Sequence, residues 1–296
     1  MSNIIKLEIV EKYNPYHDSK GRFTSAGNAT SFTFRDESGL AWNEKNVQRA
    51  IDREKKRTAG GNSDGDAKRK QAEDDLRSVL KEGAVVKFDG MDAELAQETT
   101  ATIKRVIEKY PSCKDAFAGF TTEDTDKGTF TEKDSAMACF SEGTKMVHLN
   151  NEYYGNKEHF AERVNVAIEK QFHPLGTDYN SVVVHEMGHA IDSYVSEKIF
   201  DIWDLAGGKR VSTEIWNADI DKAKKKGQPM TGKSIRESLS GYASKNPAEY
   251  LAEGFSEALC SSNPRPTAKS ILKRVENRIS KAEKKAEESK SFWGGL

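Results

Sequence analysis

A chain of 296 residues with 46 basic and 47 acidic side chains has a formal net charge of −1, which excludes the global basic field of a dedicated nucleic-acid binder. Charged residues make up 31% and hydrophobic ones only 36%, a balance that predicts polar flanks around a smaller folded core. The longest apolar runs, such as Val182–Val184, are far too short to cross a bilayer, so no membrane partner is expected.

Residues 1–40 read as an irregular leader. Its start, MSNIIKLEIVEKYNP, lacks the apolar stretch and small-residue cleavage site of a Sec-type signal. Cys113, Cys139 and Cys260 are odd in number, widely spaced and form no CxxC pair, which fits a reducing cytoplasm. The run Asn14-Pro15-Tyr16-His17-Asp18-Ser19-Lys20-Gly21-Arg22-Phe23-Thr24 is rich in turn formers and has no sustained periodicity. It resembles an NPYHD-x-x-GRF-[ST] segment found near the N-termini of tailed-phage and prophage proteins. That resemblance implies a phage or prophage origin, a bacterial host cytoplasm, possible association with the virion, and phage structural proteins as partners.

Trp42–Thr58 has helical composition, Gly60–Gly65 is a flexible break, and Asp66–Lys81 reads as a polar helix with Ala72, Leu76, Val79 and Leu80 in a thin apolar stripe. From Val85 the pattern changes. Val85–Phe88 is a short strand. Ala93–Tyr110 is a helix with Leu95, Thr99, Ile103, Val106, Ile107 and Tyr110 on one face, stopped by Pro111. Ala116–Phe120 and Ser135–Phe140 are apolar strands separated by turn-rich Thr121–Lys133. Thr144–Asn150 is a further strand carrying His148, a surface or cleft residue by its surroundings. Asn156–Lys170 is helical, and Phe172–Gly176 is a loop.

The next helix contains His185-Glu186-Met187-Gly188-His189. Two imidazoles four residues apart on a helix differ by about 40° in azimuth and one turn in height, so both can face one ion. Glu186 is then placed to handle the proton of a water beside that ion, the HExxH arrangement of zinc peptidases. Thr177 and Asp178 are N-cap candidates, and no proline interrupts the run. A catalytic zinc needs a third protein ligand. Asp192, three residues after His189, has a short side chain better suited to accept a hydrogen bond from a ligand histidine. Downstream, Asn246-Pro247 opens a helix in which Glu249 and Glu253 share one face and small Ala252 permits close approach to the motif helix. Phe200–Leu205 and Thr213–Lys226 are helical, Met230–Gly241 is a turn-rich surface segment, and residues 265–289 form a long helix followed by an apolar tail, Phe292–Leu296.

The HEMGHAID helix, followed by Tyr242-x6-Glu249-x3-Glu253, resembles the catalytic domain of anthrax lethal factor and the related Pro-Pro endopeptidases. The match covers Tyr179–Tyr194 and Ser240–Leu259 well, and the strands from Ala116 onward only in order. It implies an α+β, zincin-like metallopeptidase domain at 84–262, between a polar leader (1–83) and a C-terminal helical extension (263–296). It implies Zn²⁺ held by His185, His189 and Glu249, with Glu186 as general base and Tyr242 opposing charge on the substrate carbonyl. Asp192 and Glu253 would support the ligands. A protein or peptide substrate is expected as an extended strand on Thr144–Asn150, taken as an exposed sheet edge. The competing expectation is a phage head-morphogenesis or interaction protein in which the zincin fold is vestigial.

Overall fold

The computed structural model describes residues 22–24, 63–123, 130 and 136–293, with side chains placed between residues 64 and 289. Trp42–Thr58, most of the leader and the side chains of the Phe292–Leu296 tail lie outside the described residues. The fold is mixed α+β, mostly helical with a small sheet. Among the described residues, no helix is long and apolar enough to cross a membrane.

The sheet has a core of four strands: β2 (Val85–Lys87), β3 (Gly119–Glu123), β4 (Ala136–Ser141) and β5 (Met146–Asn150). Their spatial order is β4-β5-β3-β2, with β2, β3 and β5 parallel and β4 antiparallel to β5. A three-residue strand from the leader, β1 (Arg22–Thr24), pairs antiparallel with the outer side of β4. The strand over Thr144–Asn150 is therefore shorter than expected, and it is not an edge. Thr144 and Lys145 make the turn, Lys145 in the left-handed region, and Met146–Asn150 is bonded to β3 on one side and β4 on the other. Its N–H and C=O groups are already used, so it cannot take an added peptide strand. His148 sits 2.5 Å from the Glu123 carboxylate on β3.

Helix α1 (Ser63–Arg77) and helix α2 (Ala93–Lys109) pack together, and Asp92 caps α2 by accepting from the Glu94 and Leu95 N–H groups. Pro111 stops α2 and starts a 3₁₀ turn, Pro111–Ala116. The short α3 (Asn151–Tyr154) and α4 (Lys157–Glu169) follow β5, with Asn150 and Asn156 as side-chain caps. The motif helix α5 (Asn180–Ile199) is buried almost along its full length. Asp178 helps to start it, its Oδ1 accepting the Asn180 N–H at 2.8 Å. The helix expected over Phe200–Leu205 is the short α6 (Ile202–Ala206), which Asp201 caps by accepting the Asp204 N–H.

Helix α7 (Val211–Lys225) comes next. Met230–Gly241 is not a surface turn. It contains α8 (Gly232–Ser238), begun by a reciprocal Thr231/Ser234 capping box, and it buries Ile235 and Leu239. A 3₁₀ turn (Tyr242–Ser244) leads into α9 (Pro247–Cys260), and α10 (Pro266–Trp293) closes the chain. Ala72, Leu76 and Leu80 from the α1 region, and Ala268, Ile271, Val275 and Ile279 of α10, join the same hydrophobic core as the sheet and α5. Residues 63–83 and the first five turns of α10 thus pack on the central unit. The three cysteines are unbridged.

Candidate metal centre

The most extensive contact between described elements is that of α5 with α9. It is close because both helices are small where they cross. A Cβ at Gly188 would lie 3.1 Å from the Ala252 Cα and 3.5 Å from the Phe255 ring. Asn246 caps α9 by accepting the Glu249 N–H at 2.9 Å, and Pro247 occupies the first turn. Glu249 is therefore held at the start of α9, where the helix meets the two motif histidines.

Three ligand-type atoms converge there. His185 Nε2 lies 3.0 Å from His189 Nε2 and 3.0 Å from Glu249 Oε2, and His189 Nε2 lies 3.3 Å from Glu249 Oε2. A tetrahedral ion with bonds of 2.0–2.1 Å has ligand–ligand edges of about 3.3 Å, so the triangle has nearly the dimensions such an ion requires. His185, His189 and Glu249 can hold a metal ion. The donor set is consistent with that use. His185, Glu186, Glu249 and Glu253 are each at most 1% exposed. Three carboxylates so far from water need positive charge nearby.

The nearest partners of Glu253 are two imidazoles and a hydroxyl. Glu253, one turn beyond Glu249, lies 2.9 Å from His185 Nδ1 and 3.5 Å from His173 Nδ1. Burial penalises the Glu253 carboxylate, but His173 and His185 outweigh burial and hold it down to about 2. Burial likewise opposes charge on His185, yet Glu249 and Glu253 outweigh it and lift that imidazole to about 10. Ser240 donates its hydroxyl to the other Glu253 oxygen at 2.6 Å, fixing the carboxylate from the opposite side. Glu253 thus faces His185 at the nitrogen opposite the one that meets His189 and Glu249.

Glu186 points to the sheet side. Its Oε2 accepts the Phe140 N–H of β4 at 2.7 Å, while Oε1 is buried and has no hydrogen-bond partner. One oxygen is anchored and the other is available to a small polar ligand. Asp192 is buried and binds the Ser212 N–H at 2.9 Å, which ties α5 to the start of α7. Its pKa is raised by burial, against hydrogen bonds from Ser212. The buried Tyr242 ring lies 5.8 Å from the His185 ring and 5.0 Å from Phe172, with its N–H bound to the Phe172 carbonyl. Lys245 Nζ lies over both the Tyr242 and Phe172 rings, and burial lowers its pKa to about 8.

A groove of about 530 Å³ opens beside His189, lined by Phe140, Ser141, Asp192, Arg210 and the first residues of α9. The structure thus places all seven sequence-selected residues within or around one site: His185, His189 and Glu249 facing each other, Glu186 and Glu253 flanking, Tyr242 and Asp192 at the periphery. Sequence reasoning missed His173, Ser240, Lys245 and the Phe140 backbone. His173 and Ser240 stand next to recognised segments without a distinguishing spacing, and a backbone N–H leaves no trace in residue type.

None of the family models, curated proteins or solved structures compared with the chain matches it.

Proposed function

We propose that the chain is a zinc-dependent endopeptidase with a zincin-like active site, akin in its motif residues to the lethal-factor group. The observation that carries this reading is the convergence of His185, His189 and Glu249 at 3.0–3.3 Å, with an anchored but half-unsatisfied Glu186 alongside. His185, His189 and Glu249 would hold the ion, leaving a fourth position for water. Zinc in such a site supplies a water of pKa about 7 and a positive charge for the substrate carbonyl.

The chain's own groups perform the proton handling. Glu186, fixed by the Phe140 N–H, accepts the proton of the attacking water through Oε1. As the water oxygen bonds to the carbonyl carbon and the C–N bond breaks, Glu186 returns that proton to the leaving amine. Tyr242 is assigned the hydroxyl that opposes negative charge on the carbonyl oxygen. Glu253 keeps His185 in one tautomer, with the Nε2 lone pair toward the ion position. The groove beside His189 admits the substrate chain. Retention of Glu186 in a complete site argues against a vestigial fold, because a purely structural metal has no use for a buried, half-satisfied carboxylate. The NPYHD-x-x-GRF segment supports a phage or prophage setting for this activity.

Metal content tests the reading. The purified protein is expected to hold about one zinc per chain, with loss of the metal on His185→Ala or Glu249→Ala while circular dichroism is unchanged. A folded wild-type chain that takes up no zinc would refute it.

A further inference from the structure

We infer that the leader strand β1 is an internal occupant of the peptide-binding edge, so that it holds the site latent until it is displaced. The inference rests on the peptidase reading of the same site. Its starting point is the identity of the edge. The interior strand β5 is paired on both sides, and β2 lies at the opposite end of the sheet from β4. The strand that touches the site is β4: its Phe140 N–H holds Glu186, and Phe140 and Ser141 line the groove beside His189. An extended peptide reaching Glu186 along the sheet must run on the outer side of β4.

That outer side is taken by the chain itself. Arg22, Phe23 and Thr24 pair antiparallel with Cys139, Ala138 and Ala136. Arg22, the β1 residue nearest the site, is opposite Cys139, and the next residue of β4 is Phe140. The described ladder of β1 thus runs up to the residue before the one that makes the Glu186 contact and lines the groove. These three residues are the end of the NPYHD-x-x-GRF-[ST] segment, which gives that end of the segment a place in the fold.

The attachment is built to be reversible. Among the described residues it spans three positions, and its register slips between Phe23 and Thr24, which interrupts the ladder there. A substrate strand of five or six residues would form more backbone bonds on the same edge and could replace it. The physical requirement for backbone-only recognition is an extended segment with free N–H and C=O groups, whatever its side chains.

The test uses the full chain and an Arg22→Pro/Phe23→Pro variant. Consecutive N–H groups of a strand point to opposite edges, so one of the two prolines removes a β4-facing donor whatever the register. Binding of a labelled synthetic peptide, NPYHDSKGRFTSA, is measured by fluorescence anisotropy on zinc-free protein. The variant is expected to bind it at least about tenfold more tightly than wild type. After zinc loading, kcat/KM on an unstructured peptide is expected to rise by a similar factor. A Thr24→Pro variant serves as a second probe should the double variant fold poorly. Equal peptide affinity in wild type and variants, or no binding to either, would overturn the inference. Tighter binding without hydrolysis by any zinc-loaded form would keep the strand exchange and remove the peptidase reading. Equal binding with equal hydrolysis would keep the peptidase and remove the latency.

Discussion

At the scale of single residues, the site is a chain of charge pairs running out of α9 into α5. Glu249 faces both histidines, and Glu253 sits behind His185 with Ser240 and His173 on its other oxygen and flank. Glu253 is not among the three converging ligand atoms, but its carboxylate lies 2.9 Å from His185 Nδ1, on the side away from them. Glu253→Ala should therefore keep the three-ligand set and lose about 10–100-fold in zinc affinity, measured by competition with a chromophoric chelator. An unchanged affinity would mean that packing alone orients His185. The residues that carry a helical spacing, His185, His189, Glu249 and Glu253, were legible in the sequence because i,i+4 positions share a face. Ser240, His173 and the Phe140 N–H were not, because their relation to the site exists only after distant segments meet.

At the scale of elements, the crossing of α5 and α9 decides whether a third ligand arrives at all. Gly188 and Ala252 let the two backbones approach, and Ala252 was recognisable as a small residue on the right face of α9. Gly188→Val would push against Ala252 and Phe255. It is expected to destabilise the fold by about 1–3 kcal/mol and to weaken zinc binding in parallel, read from thermal melts with and without metal. A loss of stability with full retention of zinc affinity would show that Glu249 is positioned independently of the crossing. Sequence reading failed where caps lay outside the familiar pattern. Helix α8 starts with Thr231 and Ser234 in place of the usual Glu or Gln partner, so its turn-like composition hid a helix that buries Ile235 and leads into buried Leu239. The edge assignment failed for a different reason: Thr144–Asn150 alternates like an exposed strand, but pairing on both sides is a property of the whole sheet.

At the scale of the molecule, the polar helices α1 and α10, outside the central unit in sequence, are parts of its core. Helix α10 lays Ile271 on Gly254, which leaves no room there for a Cβ, and Arg265 grips the buried Glu257 and the Leu239 carbonyl. Ile271→Ala is expected to cost about 2–5 kcal/mol and to lower the midpoint of a single urea transition that includes the zinc-site helices. Two separate transitions would show that α10 folds as an independent unit. The long helix over residues 265–289 was evident in the sequence, but what it packs against could not be read from its own residues. The leader was opaque for the same reason: three residues bearing no periodicity acquire meaning only opposite β4.

The central claim is that Glu186 and the His185, His189 and Glu249 site together cleave peptide bonds. The most direct measurement is digestion of a peptide library, read by mass spectrometry, with zinc-loaded Arg22→Pro/Phe23→Pro protein and the same protein carrying Glu186→Gln. The account predicts internal cleavage by the first. It predicts an equal zinc content but a rate lower by about 10²–10⁴-fold for the second. An intact library with the fully loaded first protein, or equal cleavage by both, would contradict it.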